Sequence, residues 1–445
     1  MSKPARAANA AVETGWVADL THEAEGVVRD SEAGGKIAFV AGALPGERIS
    51  FRRRSFHKNH DEAALIEVHE PSPSRVTPRC AHFGVCGGCA LQHLDPAAQI
   101  ESKQKELAAN LARIGNAEPA EWLPPLLGPH WAYRRRARLS SRFVAKKGRS
   151  LVGFREKQGK YVADVQRCEV LAEPVASLVG TLAELLTGMD RRASIPQIEV
   201  ALSDGERVLV FRVLDPLPEA DLEALRVFET AHGLRILLQP GGLNTIAPLT
   251  PGPVDLHYRL DDFDVRLDFG PSDFVQVNAA INQAMVARAI ELLEVGPADR
   301  VLDLFCGLGN FTLPLARRAR AVVGVEGEAG LIARARANAL LNGIGNAEFQ
   351  VADLSVAPDI TIPWMRGGFD QVLLDPPRVG AREVLSAVAH LAPRRVVYIS
   401  CHTGSLARDL GVLTHELGFR LRAAGVLDMF PHTTHVESIA VLDRN

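Results

Sequence analysis

Residues 301–311 read "VLDLFCGLGNF", and they set the architecture expected for the second half of the chain. The apolar start predicts a buried strand, and Gly307 and Gly309 predict a tight turn where the backbone can approach a ligand closely. A dinucleotide-binding loop more usually carries three glycines in G-x-G-x-x-G spacing, whereas Asn310 and Phe311 stand here. The segment therefore predicts a ligand-binding loop directly after a strand, and it argues against a dinucleotide as the ligand.

Four similar runs follow this loop: "AVVGVEG", "AEFQVAD", "FDQVLLDPP" and "RRVVYISC". Each is short and apolar, as strands that are buried on both faces of a parallel sheet are. The segments between them fit helices. From about residue 270 onward we therefore predict a doubly wound, Rossmann-like α/β domain that binds its ligand at the carboxyl ends of the strands.

Acidic residues stand at the ends of three of these predicted strands. Glu326 ends the second strand, where a carboxylate can accept hydrogen bonds from ribose hydroxyls. Asp353 ends the third strand and suits the adenine side, and Asp375 ends the fourth before two prolines that stiffen the loop. This order resembles the class I methyltransferases that bind S-adenosylmethionine. The D/N-P-P-Y tetrad of amino-group methylases needs an aromatic residue where Arg378 stands, which argues against that class.

Cys401 ends the fifth predicted strand, just before a predicted helix. A helix dipole and backbone amides at such a position favour a thiolate, so we expect a lowered pKa and a nucleophilic role for Cys401. Buried cysteines also serve as small apolar residues, and for Cys306 in the glycine loop that interpretation is favoured.

A thiolate beside a methyl donor suits methylation of carbon 5 of uracil. Addition of the thiolate to carbon 6 gives an enolate whose electron density lies at carbon 5, and a base must later remove the carbon 5 proton so that the thiolate can leave. Glu437 in "DMFPHTTHVES" is the candidate base, with His432 and His435 as rivals. On sequence alone Glu437 is equally compatible with a surface acid at a strand end.

Five motifs together are similar to the RNA uracil-C5 methyltransferase family: "DFVQVN", "LDLFCGLGNF", "LLDPPRVG", "YISC" and "MFPHTTHVES". The resemblance extends over nearly the whole chain and implies that Cys401 is the nucleophile and Glu437 the base. It implies contacts to the cofactor S-adenosylmethionine from Gln276, Phe305, Asn310, Glu326, Asp353 and Asp375. For the target base it implies Gln276, Asp375 and Phe274, whose ring would stack on the flipped uracil.

The nucleophile motif departs from the family pattern. The family usually continues as S-C-N-P-x-T, whereas this chain has His402, Thr403, Gly404 and Ser405 after Cys401. The family's D-P-[PA]-R-x-G is intact. We therefore expect that the enzyme is active. The resemblance implies the rate and the choice of target less firmly, because His402 changes the hydrogen bonding next to the thiol.

Three of the six cysteines crowd into "CAHFGVCGGCALQH", residues 80–93. A four-coordinate site needs a fourth ligand, and Cys168 remains once the two cysteines of the α/β domain are set aside. The spacing of Cys80, Cys86 and Cys89 suits a structural zinc and an iron–sulfur cluster equally, and His82 and His93 are fallback ligands. The loop resembles the iron–sulfur branch of the family that modifies 23S rRNA, which favours a [4Fe-4S] cluster over zinc.

The resemblance also supports a division into domains. We expect a disordered lead at residues 1–13 and a small TRAM-like, RNA-binding β-barrel at 14–72. A central iron–sulfur and RNA-binding domain is expected at 73–94 and 122–269, and the methyltransferase domain at 95–121 and 270–445. Asp95 and Pro96 predict the start of a helix that runs to about residue 114, and a second helix is expected at about 172–186.

Composition bounds what the protein can be. At 445 residues, with 47% hydrophobic and 23% charged residues, the chain is typical of globular proteins with more than one domain. No apolar run reaches the ~18 residues of a membrane span, and six cysteines without a secretory signal indicate a reducing compartment. We therefore expect a cytoplasmic monomer with no membrane contact.

The formal net charge of −3 gives no general case for nucleic-acid binding, so the argument rests on local clusters of basic residues. One lies at Arg52, Arg53, Arg54 and Lys58. A denser one runs through residues 133–149, "YRRRARLSSRFVAKKGR", without a carboxylate, and predicts a strand with a phosphate-binding face.

The expected partner is a single-stranded or loop uridine of 23S rRNA. Alternatives are the T-loop uridine of tRNA, and a catalytically weakened RNA-binding or ribosome-assembly factor.

Overall fold

The computed structural model describes residues 11–31, 34–157 and 159–445. Residues 1–10 of the predicted disordered lead therefore lie outside the described residues, and the first strand begins at Val12, two residues before the predicted barrel boundary. The chain divides into two compact units. The first comprises the described residues up to Glu106 with Arg155–Lys160 and Pro431–Thr434, and the second comprises the rest. The three-domain division stays a prediction.

The first unit contains a curled six-stranded sheet. Its strands are β1 (Val12–Trp16), β2 (Asp19–Leu20), β3 (Glu25–Val28), β4 (Ile37–Ala41), β5 (Arg48–Phe56) and β6 (His60–Glu70). The spatial order is β1-β5-β6-β4-β3-β2, and only the β4–β6 pair is parallel among these pairs. Apolar residues alternate toward one side, where Val40, Ile49 and Phe51 are fully buried. A small all-β unit is therefore present where the sequence predicted one.

The basic cluster on β5 is split by the pleat of the strand. Arg52 and Arg54 are exposed, whereas Arg53 is buried and forms ion pairs with Glu13 at 2.8 Å and Asp61 at 2.9 Å. The expectation that Arg53 belongs to a phosphate-facing cluster is therefore wrong, because a buried guanidinium with two carboxylates already has its counterions.

The helix predicted after the cysteine loop is confirmed. Helix α1 spans Pro96–Asn110, and the carboxylate of Asp95 accepts a hydrogen bond from the backbone N–H of Ala97 at 2.9 Å, as an N-cap does. A single π-helical turn, Leu111–Gly115, extends it to the predicted end, and the short strand β7 (Glu121–Trp122) follows.

The middle of the chain forms a second six-stranded sheet and a hairpin. The sheet contains β8 (Arg136–Val144), β9 (Arg149–Gly153), β10 (Gln197–Leu202), β11 (Arg207–Arg212), β12 (Arg235–Gln239) and β13 (Ala247–Pro248). Its order is β13-β12-β11-β10-β8-β9, and the hairpin joins β14 (His257–Leu260) to β15 (Val265–Asp268). Two helices belong to this region, α2 (Val175–Gly188), near the predicted 172–186, and α3 (Glu219–His232).

Part of the dense basic cluster forms strand β8, as predicted, and four of the eight basic residues of the cluster pair with carboxylates. Ion pairs join Arg135 to Asp204 at 2.5 Å, Arg138 to Glu199 at 3.0 Å, and both Lys147 and Arg149 to Asp164. The assumption that these arginines lack carboxylate partners is therefore wrong, because their partners lie far away along the sequence.

The remainder of the second unit is an α/β domain around an eight-stranded sheet. The added strands are β16 (Arg300–Leu304), β17 (Ala321–Glu326), β18 (Ala347–Val351), β19 (Gln371–Leu374), β20 (Arg395–Ser400), β21 (Phe419–Leu427) and β22 (Glu437–Arg444). The helices are α4 (Ala279–Leu293), α5 (Thr312–Ala316), α6 (Ala329–Leu341), α7 (Leu385–His390) and α8 (Thr403–His415).

The order of this sheet is β18-β17-β16-β19-β20-β22-β21-β7. Strands β16 to β20 are mutually parallel, and β22 is inserted antiparallel between β20 and β21. The predicted parallel sheet is confirmed, and the carboxyl ends of its five parallel strands meet at one edge. No helix in the described part of the chain has both the length and the apolar composition needed to cross a membrane.

Candidate active site

The thiol of Cys401 follows the last residue of β20, a strand that is buried throughout. The next residue, His402, is the N-cap of α8, and its Nδ1 accepts a hydrogen bond from the backbone N–H of Ser405 at 3.1 Å. Asparagine, the residue usual here in the family, caps helices with a side-chain acceptor too. The histidine therefore preserves the start of the helix next to the thiol, although the motif has changed.

The register of the sheet brings Cys401 and Glu437 together. Strands β20 and β22 are antiparallel, with Ile399 opposite Ile439 and Ser400 opposite Ser438. The next step in the same register sets residue 401 opposite residue 437. Side chains directly opposite each other point to the same face of an antiparallel pair, with their Cβ atoms ~5 Å apart.

Burial and two carboxylates determine the pKa of the Cys401 thiol. The partly buried position of Cys401, with the carboxylates of Glu437 and Asp375 nearby, raises the pKa of the thiol to about 11, and the Arg378 guanidinium opposes that rise. The expectation of a lowered pKa is therefore wrong for the protein without substrate. The two like charges and the loss of water outweigh the dipole of α8.

Burial also raises the pKa of both carboxyl groups. Glu437 is 3% exposed, and burial together with the charge of Asp375 raises its pKa well above the usual value. Burial also raises the pKa of Asp375 to about 7. Glu437 is therefore not the surface acid that the sequence left open, and Cys401, Glu437 and Asp375 form one cluster of proton-binding groups.

The rival bases have other surroundings. His432 is buried in the first unit, where its Nδ1 lies 3.2 Å from the amide nitrogen of Gln99 and its carbonyl accepts hydrogen bonds from the N–H groups of Ala90 and Leu91. His435 is exposed, and its ring packs 5.4 Å from that of Phe430. His432 thus has a structural role in the first unit, while the sheet register favours Glu437.

The glycine loop after β16 is shaped by backbone conformations that few residues adopt. Phe305 has φ = 66° and Gly307 has φ = 55°, and a Cβ added at Gly307 would meet no atom within 4 Å. The carboxylate of Glu326 at the end of β17 accepts hydrogen bonds from Gly307 N–H at 3.2 Å and Gly327 N–H at 2.7 Å. The loop is therefore fixed to the second strand and leaves open space above its backbone.

Asp353, which was predicted to lie toward the adenine, has a local hydrogen-bond partner. Asp353 lies beyond the end of β18, is exposed, and accepts hydrogen bonds from the N–H and hydroxyl of Ser355 at 2.9 and 2.6 Å. These hydrogen bonds lower the pKa of Asp353. Cys306 is 3% exposed, and burial raises the pKa of its thiol, as expected for an apolar role.

Asn310 belongs to a polar network that sequence reasoning did not find. It forms two amide hydrogen bonds with Asn282, at 2.9 and 3.0 Å, and its Oδ1 accepts the Tyr258 hydroxyl at 2.8 Å. Tyr258, Asn282 and Gln276 line one pocket together with Arg135 and Phe269. Tyr258 sits in the β14–β15 hairpin and Asn282 in α4, so only the folded chain brings them next to the glycine loop.

Phe274 is 73% exposed, which is unusual for a phenylalanine. Two arginines hold the segment just before Phe274 in place. The guanidinium of Arg136 donates to the carbonyls of Pro271 at 2.9 Å and Asp273 at 3.0 Å, and Arg334 pairs with the Asp273 carboxylate at 2.5 Å. Arg136, predicted to face phosphates, therefore supports the loop that presents the Phe274 ring.

The cysteine loop lies in the first unit, and Cys168 in the second. Within the loop the N–H of Cys86 donates to the carbonyl of His82 at 2.9 Å, and the N–H of Gly88 points to the Cys86 sulfur at 3.4 Å. His93 is 2% exposed, its ring lies 5.3 Å from Phe83, and neither ring nitrogen has a hydrogen-bond partner among the described residues. Burial, together with Arg75 and Lys157, lowers the pKa of His93 to about 4, so its ring is neutral at pH 7.

Comparison with known proteins identifies the family. The tRNA (uracil-5-)-methyltransferase family model matches residues 97–445. A protein of Xanthomonas axonopodis pv. citri (strain 306), named 23S rRNA (uracil(1939)-C(5))-methyltransferase RlmD, is 53% identical over 96% of this chain and 96% of its own. The protein of that name from Stenotrophomonas maltophilia (strain K279a) is 52% identical at the same coverage.

Among solved structures, the Pyrococcus abyssi tRNA (uracil-54, C5)-methyltransferase in complex with S-adenosyl-L-homocysteine superimposes with a TM-score of 0.72 at 25% identity. The match covers 96% of this chain and 100% of that one. The resemblance read from the five motifs is thereby confirmed, and the chain belongs to the tRNA (uracil-5-)-methyltransferase family.

Proposed function

We propose that this protein transfers a methyl group from S-adenosylmethionine to carbon 5 of a uridine in 23S rRNA, the uridine for which its relatives are named being uracil 1939. The observation that carries the chemistry is the sheet register, which ends with Ser400 opposite Ser438 and so brings the next residues, Cys401 and Glu437, close together. The identity of 53% to a 23S rRNA enzyme, against 25% to a tRNA enzyme, favours rRNA over tRNA. A weakened, non-catalytic factor is disfavoured because both reacting groups are present and adjacent.

The residues after β16 and β17 fit S-adenosylmethionine. The space next to Gly307 is open, and Glu326 stands where ribose hydroxyls need an acceptor. Asn310 and Gln276 would border the donor from the side of the pocket, and Asp353 would lie toward the adenine. When bound, the cofactor supplies an electrophilic methyl group.

The residues of the chain would then act on the uracil in two stages. Cys401 would give up its proton to solvent and its thiolate would add to carbon 6, so that the former double-bond electrons make carbon 5 a nucleophile. Carbon 5 would then bond to the methyl group, as the bond from that methyl group to the donor sulfur breaks and leaves its electron pair on the sulfur. Glu437 next removes the proton from carbon 5. The electrons of that C–H bond re-form the double bond between carbons 5 and 6, the C–S bond breaks, and the Cys401 thiolate is released.

The remaining site residues would orient the base. Asp375, with its pKa near 7, can donate to or accept from the polar edge of uracil at neutral pH. Gln276 offers an amide to the same edge. Phe274 presents an exposed ring on which a flipped base can stack, an interaction that contributes ~1–3 kcal/mol in RNA-binding proteins.

The choice of substrate is tested by offering both RNAs. With labelled S-adenosylmethionine, an unmodified 23S rRNA fragment containing the uridine is expected to accept label at least ~100-fold faster than a tRNA transcript. A fragment with cytidine at that position is the matched control and should accept none. A preference for tRNA would assign the protein to the other branch, and no label in either RNA would favour the non-catalytic alternative.

We further propose that residues 14–72 form a TRAM-like, RNA-binding barrel, residues 73–94 and 122–269 the central iron–sulfur and RNA-binding domain, and residues 95–121 and 270–445 the methyltransferase domain. The curled sheet with exposed Arg52 and Arg54 on β5 and a half-exposed Trp16 on β1 supports RNA contact by the first of these.

We also propose that Cys80, Cys86, Cys89 and Cys168 bind a [4Fe-4S] cluster, with structural zinc as the alternative. Thiolates suit either metal. His93 supports a polar group in this loop, because a buried imidazole with neither nitrogen hydrogen-bonded is costly unless a bound group completes its surroundings.

The metal content of the purified protein decides between a [4Fe-4S] cluster and structural zinc. Protein purified without oxygen is expected to be brown and to contain about four iron atoms per chain. Cys168→Ser should lose iron and colour, whereas Cys306→Ser, which alters a buried cysteine outside the proposed cluster, should keep both. Stoichiometric zinc without iron would contradict the cluster.

A further inference from the structure

The loop that follows β19 is attached to one face of α8. Three residues of that helix, Ser405, Arg408 and Asp409, are spaced i, i+3 and i+4, so they lie side by side on the helix surface. Each of them contacts the backbone of residues 378–381.

The contacts follow the loop residue by residue. The hydroxyl of Ser405 donates to the carbonyl of Arg378 at 2.9 Å, and the guanidinium of Arg408 donates to the carbonyl of Val379 at 2.8 Å. The carboxylate of Asp409 accepts from the N–H of Ala381 at 2.8 Å. Three residues of the loop, Arg378, Val379 and Ala381, are thus held by three side chains of one helix.

Tyr398 completes the network from β20, three residues before Cys401. Its side chain is fully buried, its hydroxyl donates to Asp409 Oδ2 at 2.7 Å, and it accepts from the N–H of Ala381 at 3.0 Å. Asp409 is also fully buried, and its other oxygen accepts from Arg408 at 2.8 Å. A buried carboxylate with this many donors is rigid, because each lost partner exposes an unsatisfied charge.

The loop approaches the helix so closely that glycine is needed at residue 380. Gly380 has φ = 87°, and a Cβ there would lie 2.5 Å from Asp409 Oδ2 and 2.6 Å from an Arg408 nitrogen. Helix α8, which begins two residues after Cys401, therefore also fixes the loop that carries Arg378.

We propose that Tyr398 and Asp409 are positioning residues for methyl transfer, which hold residues 378–381 and so keep Arg378 at the edge of the sheet where β19 and β20 end and Cys401 stands. The proposal rests on the proposed role of Cys401 as the nucleophile. Arg378 is the cation that favours the thiolate against burial and the carboxylates of Glu437 and Asp375. A loop released from Ala381 would carry Arg378 away and make the thiolate harder to form.

The test measures the thiol directly. Cys401 is alkylated with iodoacetamide between pH 7 and 10 without RNA or cofactor, and its peptide is quantified by mass spectrometry. Tyr398→Phe removes one hydroxyl at nearly constant volume and is expected to slow alkylation of Cys401 at pH 8 by about threefold to tenfold, the effect of a pKa rise of up to one unit. Arg378→Gln should slow it at least as much, and kcat for methyl transfer should fall with both.

Controls separate positioning from general damage. Thr414→Val removes a hydroxyl that bonds the Leu410 carbonyl at 2.8 Å in the last turn of the same helix, and it should leave the alkylation profile unchanged. The double variant Tyr398→Phe/Arg378→Gln should be no slower than Arg378→Gln alone. Asp409→Asn carries the same test if Tyr398→Phe does not fold.

Two results would overturn the proposal. One is an unchanged profile in Tyr398→Phe beside a shifted profile in Arg378→Gln, and the other is a fully additive double variant. Failure of the proposed function is distinguishable, because full methyl transfer by a Cys401→Ala variant would refute the nucleophile while the alkylation profiles would still report on the loop.

Discussion

Cys401→Ala is expected to lower methyl transfer to 23S rRNA by at least ~10⁴-fold and to abolish any covalent protein–RNA complex. Without the thiolate, carbon 5 of uracil has no enolate electron density and is too weak a nucleophile for the methyl donor. Cofactor binding should change little, since the loop after β16 and Glu326 are untouched. The measurement is incorporation of labelled methyl into the rRNA fragment, alongside calorimetric binding of S-adenosylhomocysteine.

Cys306→Ala is the matched control for this substitution. Both cysteines follow strands of the same sheet, but Cys306 is 3% exposed and packs in the core of the domain. The control should still form the covalent complex with RNA. Equal methyl incorporation by wild type and Cys401→Ala would refute the thiolate mechanism.

The raised pKa of Cys401 adds a pH dependence to this result. A thiol with a pKa of about 11 is almost wholly protonated at pH 7, and its thiolate fraction grows about tenfold per pH unit below the pKa. Alkylation of Cys401 in the protein without RNA should therefore accelerate steadily from pH 7 to pH 9. The helix N-terminus alone, which the sequence made visible, predicts the opposite, an early plateau.

Local patterns predicted the parallel sheet well, because strands buried on both faces need continuous apolar runs. The sequence also predicted the N-cap at Asp95 correctly, because capping depends on residues that are neighbours along the chain. The insertion of β22 between β20 and β21 left no local signal, and it is this insertion that sets Glu437 opposite Cys401. The error about the thiol pKa comes first from burial of Cys401 and then from the charges of Glu437 and Asp375, none of which is visible in the local sequence.

The basic clusters were also misinterpreted because their partners are set by the tertiary fold. Arg53 and Arg136 were interpreted as phosphate ligands because no carboxylate lies within the basic runs that contain them. The partners of Arg53 are Glu13, 40 positions earlier, and Asp61, while Arg136 donates to backbone carbonyls about 135 positions later. Counterions at such separations are decided by the tertiary fold, as is the network of Tyr258, Asn282 and Asn310.

Glu437→Gln is expected to trap the RNA on the protein. Addition of the Cys401 thiolate and methylation at carbon 5 do not need a base at residue 437, but removal of the carbon 5 proton does. Glutamine keeps the size of the side chain and cannot take the proton, so the C–S bond persists. A methylated covalent complex should accumulate on denaturing electrophoresis, and multiple turnover should fall by ~10²–10⁴-fold.

Burial of Glu437 also predicts that the Glu437→Gln variant keeps the fold. Glu437 is 3% exposed, with a pKa raised by burial and by Asp375, so an uncharged glutamine should be tolerated in the fold at neutral pH. Glu294→Gln is the matched control, because Glu294 pairs with Arg395 at the opposite edge of the sheet, near the start of β20. That control should turn over without trapping. If Glu437→Gln releases methylated RNA at the rate of the wild type, proton removal belongs to another group, and Asp375, which shares the cluster, becomes the base to test.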